Sequence, residues 1–245
     1  MNDLKSLIKT KFSEKNLDKM RSCYRMVFSF SYPLLWLYGK YINTPVQKLK
    51  NNRKSNRKLE IGPGPLRIDG FETVNIMWFP NVDYVADASK KLPFKNESFS
   101  LIYASHILEH IPWYLTKQTL TEWHRVLQYE GVIEIWVPNG LLIAKSWVAA
   151  EDLKSIDFKN DGWFKFNAFQ DPALWANGRL FSYGDGTGKP GHSNWHLATF
   201  SPRLLKDLLA EVGFTQITCL DREAVRGHDH GWINLGVRAI KTKKV

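Results

Sequence analysis

Apolar and polar residues fall in blocks along the chain, and the spacing inside the blocks switches between two periods. Leu59–Ile61 is a short apolar run cut off by Gly62-Pro63-Gly64-Pro65, the punctuation expected after a buried strand. Phe71–Ile76 and Asn81–Ala86 have strand composition, and Phe99–Ala104 reads as a buried parallel strand. From Leu115 to Leu127 the apolar residues Leu120, Trp123, Val126 and Leu127 recur at helical spacing. Tyr129-Glu130-Gly131 is expected to end that helix, with the glycine just past its C-terminus. Val132–Val137 is the next strand, closed by Pro138-Asn139-Gly140. Ser201-Pro202 opens a late helix, with Ser201 as N-cap, an apolar face of Leu204, Leu205, Leu208 and Leu209, and Gly213 as its stop. Phe214–Leu220 and Trp232–Lys241 form a final strand pair. Strands alternating with helices predict an α/β parallel sheet. Ligands of such sheets bind beyond the carboxyl ends of the strands. The candidate residues are therefore Gly62–Pro65, Asn75–Met77, Asp87, Ser105-His106 and Pro138-Asn139.

Ahead of this body the pattern changes. The stretch Met26–Gly39 is uncharged but interrupted by Ser29, Ser31 and Pro33, and it is too short for a spanning helix, which needs roughly 17–25 apolar residues. Two readings stay open: a helix packed on the body, or an interfacial anchor with Trp36, Tyr38 and Tyr41 beside Lys40 and Arg25. Lys48–Lys58 is polar and basic and reads as a linker. No apolar core with a small-residue cleavage site marks a secretory leader, so a cytoplasmic protein is expected, peripheral on the inner face of the membrane if the anchor reading holds. The domain division is residues 1–57 as a basic arm and 58–245 as the main domain, with 139–200 as an insertion.

Charge sharpens that division. The whole chain of 245 residues carries +10. Residues 1–58 hold 14 Lys/Arg against 3 Asp/Glu, and the remainder holds 20 against 21. A basic arm on a neutral body points to an anionic partner for the arm, such as a membrane surface or a polyphosphate. Cys23 and Cys219 are too few for a disulfide framework or a cysteine zinc site.

Several strand-end segments, in this order and spacing, carry a family likeness. LEIGPG at Leu59–Gly64, ADASKKLPFKNESFSLIYASHILEHI at Ala86–Ile111, EWHRVLQYEGVIEIWVPN at Glu122–Asn139 and HLATFSPRLLKDLLAEVGF at His196–Phe214 together resemble class I S-adenosylmethionine-dependent methyltransferases. The resemblance implies a Rossmann-like, doubly wound, mostly parallel sheet with an antiparallel C-terminal strand, and S-adenosylmethionine as cofactor. It implies that Gly62 and Gly64 let the backbone approach the cofactor, a use that suits residues without side chains. It implies Glu60 near the methionine amino group, Asp87 with Ala88 at the adenine, and Ser105 beside them after the fourth strand. Asn75 stands where the family commonly has an acidic residue for the ribose hydroxyls. Only Pro65–Gly70 separate the glycine loop from the second strand, so the family's first helix is expected to be absent. Gly70-Phe71-Glu72-Thr73-Val74-Asn75 resembles a run in a similarly shortened branch associated with surface-glycan biosynthesis.

The acceptor side is expected in the aromatic-rich segment between Pro138 and Phe200. Insertions after strands commonly carry specificity, and aromatic faces mixed with Asp, Asn and His suit a sugar; the alternative is a small aromatic subcore. His106, directly after the fourth strand, and His196, ahead of the late helix, are the catalytic candidates. An imidazole titrates near pH ~6.5 and suits a base for a hydroxyl. Glu109 and His110 read as structural. His192 with His196, and His228-Asp229-His230, are metal-like only if a helix aligns them; Gly191–Asn194 looks like a loop, so no metal is expected. The leading expectation is O-methylation of a surface polysaccharide, glycolipid or sugar precursor. The alternatives are an RNA methyltransferase, drawing on the basic arm, and a binding module that kept the fold.

Overall fold

The computed structural model describes residues 32–64, 67–152, 167, 170–181, 194–227 and 229–243. Seven strands form one sheet: β1 Lys58–Ile61, β2 Glu72–Asn75, β3 Tyr84–Val85, β4 Phe99–Ser105, β5 Leu127–Pro138, β6 Phe214–Leu220 and β7 Asn234–Lys241. Their order is β3-β2-β1-β4-β5-β7-β6. The pairs from β3 to β5 are parallel, and β7 runs antiparallel to both β5 and β6. This is the doubly wound, mostly parallel sheet expected, with its antiparallel C-terminal strand. The central strands bury nearly every position, as a sheet covered on both faces requires.

Among the described residues, five α-helices have both ends given: α1 Thr44–Asn51, α2 Thr116–Val126, α3 Gly140–Glu151, α4 Pro172–Leu180 and α5 Pro202–Val212. The inward residues of α2 (Leu120, Trp123, Val126) and α5 (Leu205, Leu209) join Ile102, Ile133, Ile135 and Val237 in the main core. Ser201 caps α5 by accepting from the Leu204 amide, and Gly213 ends it at φ +106°, both as expected. The segment after β5 holds two helices that its sequence did not announce. Asn139 caps α3 through the Leu142 amide, and α3 and α4 share a small core of Ile143, Trp175, Ala176 and Ile233. Of the aromatic residues expected there, Phe158, Trp163, Phe164, Phe166, Phe169 and Tyr183 lie outside the described residues.

Two expectations are corrected. Helix α2 stops at Val126, and Leu127 already opens β5. The pairing with β4 jumps from Phe99↔Leu127 to Leu101↔Val132, so the Tyr129-Glu130-Gly131 turn is a bulge within the strand. A Cβ on Gly131 would lie 2.7 Å from the Gln128 carbonyl oxygen, so the glycine answers to crowding in the bulge instead of capping a helix. The supposed linker is helical as far as Asn51. Over its described part the N-terminal segment is a helix packed on the body, one of the two readings the sequence left open. Residues 32–38 are helical and continue through a π-helical turn, Gly39–Asn43, into α1. Asn43 Nδ2 donates to the Val82 and Asp83 carbonyls, and Thr44 Oγ1 accepts from the Val85 amide. This segment therefore covers the exposed edge of β3.

The crossover from β1 to β2 shows no helix among its described residues, Gly62–Gly64 and Arg67–Phe71. Arg67 stands in for it. Its guanidinium forks onto Asp83 at 3.0 and 2.6 Å and reaches the Phe71 carbonyl at 2.8 Å, while Asp83 also accepts from the Thr73 amide. A bidentate charge-assisted clamp thus fixes the short loop across the two strands.

Candidate active site

Beyond the carboxyl ends of β1, β4 and β5 opens a cavity of about 890 Å3, within the size range of small-molecule sites. Four of the seven residues expected at the cofactor line it: Glu60, Gly62, Gly64 and Ser105. Gly62 sits at φ +71°, and a Cβ there would come within 1.9 Å of Ile107 Cδ1. Gly64 faces open space, with no atom within 4 Å of where a Cβ would be. The loop therefore presents bare backbone to the cavity. Glu60 is 5% exposed and accepts one long bond, 3.4 Å, from the Ile68 amide. Burial raises its carboxyl above the usual range, against the pull of that bond and of Arg67.

Asn75, Asp87 and Ala88 do not line this cavity. Asn75 and Asp87 stand at the ends of the adjacent strands β2 and β3, where the Ala86 amide donates to the Asn75 carbonyl. Asp87 folds onto its own turn, with Oδ1 accepting from the Ser89 amide and hydroxyl. Burial opposes its charge, but the Ser89 and Lys90 contacts hold its carboxyl below the usual range. The Ala88 carbonyl accepts from Trp123 Nε1.

Both catalytic candidates line the cavity. His106 adopts φ +54°, a left-handed conformation that a bulky residue holds only when its surroundings enforce it. Its amide continues the sheet by donating to the Trp136 carbonyl. Nδ1 meets Glu109 Oε1 at 3.0 Å, Nε2 meets Asn234 Oδ1 at 2.9 Å, and the ring stacks on His230 with centroids 3.6 Å apart. His196 Nδ1 meets the Arg179 carbonyl, and its ring lies edge-on to His110 at 5.1 Å. Burial pushes the His196 imidazole below its usual range, against the attraction of Glu109.

Glu109 and His110, expected to be structural, also face the cavity. Glu109 is 1% exposed. Burial opposes its charge, yet the hydrogen bond from His106 and the neighbouring imidazoles bring its carboxyl below the usual range. Sequence reasoning missed Arg67, Asp69, Tyr103 and Arg226 in the lining, which also holds Asp229. Arg226 forks onto the buried Glu134, and its amide donates to the Tyr103 hydroxyl. No local pattern marks these loop residues; only the position of Tyr103 on β4 was readable.

Residues 59–135 match the family model described as a methyltransferase domain. They are a methyltransferase domain. The matched stretch holds the glycine loop, strands β1 to β4 and most of β5, 77 of the 245 residues. S-Adenosylmethionine is the cofactor of that family, and the residues present fit it: open backbone at Gly64, and a buried carboxylate at Glu60 with accepting capacity to spare for an ammonium group. No curated protein matches the chain. Among solved structures, a Methanosarcina mazei methyltransferase is 16% identical with a TM-score of 0.46, over 80% of this chain and 98% of that one. The Burkholderia thailandensis 1,6-didemethyltoxoflavin-N1-methyltransferase is 16% identical with a TM-score of 0.43, over 92% and 90%. The CurJ carbon methyltransferase is 15% identical with a TM-score of 0.43; this chain is covered to 85% and spans 57% of that one. Likeness at that level says nothing about the acceptor.

Proposed function

We propose that this methyltransferase methylates an oxygen of a polyhydroxyl acceptor: a surface polysaccharide, a glycolipid or a sugar precursor. One observation carries the reading. The glycine loop and the two histidines His106 and His196 share a single cavity with hydrogen-bonding side chains, Asp69, Asn194 and Asp229 among them. Paired donors and acceptors of that kind suit sugar hydroxyls, and the parallel Trp175–Trp232 stack stands beside Ile233 of the lining. When bound, S-adenosylmethionine supplies a methyl group already activated on a sulfonium. The protein's part is then mainly alignment. Gly62, Gly64, Glu60 and Ser105 would hold the aminoacyl and ribose portion, with Asn75 toward the ribose hydroxyls and Asp87 and Ala88 toward the adenine, these last three standing outside the cavity wall at the ends of β2 and β3. His106 and His196 would orient the acceptor hydroxyl; the His196 Nε2 lone pair is open to its proton, whereas both His106 nitrogens already face acceptor oxygens. Incubating the enzyme with methyl-labelled cofactor and sugar nucleotides or lipid-linked glycans should give labelled product. Absence of any calorimetric signal with S-adenosylhomocysteine overturns the reading.

The same reading places the enzyme at an anionic membrane. No helix among the described residues is long and apolar enough to cross a bilayer. The helical segment of residues 32–51 turns one face to β3 and leaves Leu34, Leu37, Tyr41, Ile42, Val46 and Leu49 exposed on the other, Leu49 by 75%. Lys40, which lies 4.5 Å over the Trp36 ring, Lys48 and Lys50 are on the same segment, and Arg53 and Lys54 follow it. An apolar face flanked by cations fits lipid headgroups. Vesicles containing phosphatidylserine should bind the full chain, and Leu34→Glu with Leu49→Glu should weaken that binding about tenfold or more. Equal binding of the variant, or tighter salt-dependent binding to RNA than to vesicles, overturns the assignment. Point substitutions are the better probe, because removing residues 1–56 would also remove the contacts on β3.

A further inference from the structure

We propose that Glu109, His110 and His196 form a binding site for a divalent transition-metal ion of the zinc class, on the wall of the cavity. One ligand atom from each lies within 4.8 Å of the others. A tetrahedral ion with bonds of about 2.1 Å holds its ligands roughly 3.4 Å apart. The widest pair therefore closes by about 1.4 Å at most, a matter of side-chain rotation.

The surroundings are those of ligands already oriented. His110 Nδ1 lies 3.1 Å from the Trp195 carbonyl and His196 Nδ1 3.1 Å from the Arg179 carbonyl. A carbonyl only accepts, so each neutral ring carries its proton on Nδ1 and its lone pair on Nε2. Metal-binding histidines are characteristically fixed in this way, by a carbonyl or carboxylate on the second nitrogen. Glu109 supplies the third group. Its Oε1 is occupied by His106, while Oε2 is buried with no hydrogen-bond partner. A buried carboxylate oxygen without a partner is costly, and a cation is the partner that satisfies it best. The two segments are also tied together before any ion arrives, since the Leu197 and Ala198 amides both donate to the Glu109 carbonyl.

Two imidazoles and one carboxylate leave at least one coordination position for a further ligand, the arrangement of a reactive rather than a purely structural zinc site. All three residues line the same cavity as Gly62 and Ser105. An ion held there would occupy the His196 lone pair and take over its part, polarising a hydroxyl docked against it and making that oxygen a better nucleophile. This use rests on the methyl-transfer reading; the binding of the ion does not.

The test is titration of chelator-treated full-length protein with Co2+, followed by its visible ligand-field absorption, and then with Zn2+ by calorimetry. One Co2+ per chain, displaced by Zn2+, is the expected result. Glu109→Gln, His110→Ala and His196→Ala should each weaken binding at least about tenfold, with folding checked by thermal melting. If His110→Ala does not fold, His196→Gln and Glu109→Gln carry the test. Absence of binding at about 100 µM metal, a free energy near −5.5 kcal/mol, overturns the proposal. So does binding that folded variants leave unchanged, which places the ion elsewhere. Methyl transfer by protein that binds no ion overturns this site alone; a bound ion with no transfer to any sugar acceptor overturns the acceptor reading alone.

Discussion

Arg57→Met lowers the unfolding free energy by about 3–5 kcal/mol, because it strips a buried carboxylate of its counter-charge. Arg57 and Glu72 are 8% and 4% exposed, and the guanidinium forks onto the carboxylate at 2.8 Å through both Nε and one terminal nitrogen. The Tyr84 hydroxyl also donates to Glu72, and Asn51 Nδ2 donates to that hydroxyl. The guanidinium lies 4.6 Å over the Phe99 ring. One network therefore joins the end of α1, the approach to β1, and strands β2, β3 and β4. It matters here because the short β1–β2 crossover has no helix among its described residues to hold those strands. Urea unfolding measures the effect. Arg57→Met with Glu72→Leu should recover much of the loss, since no buried charge is then stranded. A loss below about 1 kcal/mol for the single variant shows that the network does not hold this half of the sheet.

Two glycines in one loop separate folding from cofactor binding. Gly62→Ala destabilises the protein by about 2–4 kcal/mol, through a left-handed backbone and a methyl driven into Ile107. Gly64→Ala leaves the thermal midpoint unchanged, because its methyl meets no protein atom. That methyl projects from a residue lining the cavity, so S-adenosylhomocysteine affinity falls about tenfold, or roughly 1.4 kcal/mol. Calorimetric titration of the two variants beside their melting curves reads both effects. Unchanged affinity in Gly64→Ala removes the glycine loop from the cofactor site.

Much of this architecture was legible in the chain. Apolar runs located the seven strands, strand ends located Gly62, Gly64, Ser105 and His106 at the cavity, and the family resemblance added Glu60. The helix end at Gly131 misled because a glycine after a helical period signals a C-cap, while the same glycine here relieves crowding inside a bulge. Helices α3 and α4 escaped because their apolar residues lack a clean stripe, being packed against each other and against Ile233.

The sequence by itself determined the sheet, its mostly parallel sense and the end at which the site opens, because side-chain period and turn chemistry act over a few residues. Tertiary structure alone decided what meets at that end. Glu109 and His110 follow β4 at once, while His196 belongs to a distant loop brought back by amides donated to the Glu109 carbonyl. Asn234 reaches His106 from the start of β7, and the segment ahead of β1 packs along β3. Such contacts depend on chain return across the sheet, which no local periodicity encodes.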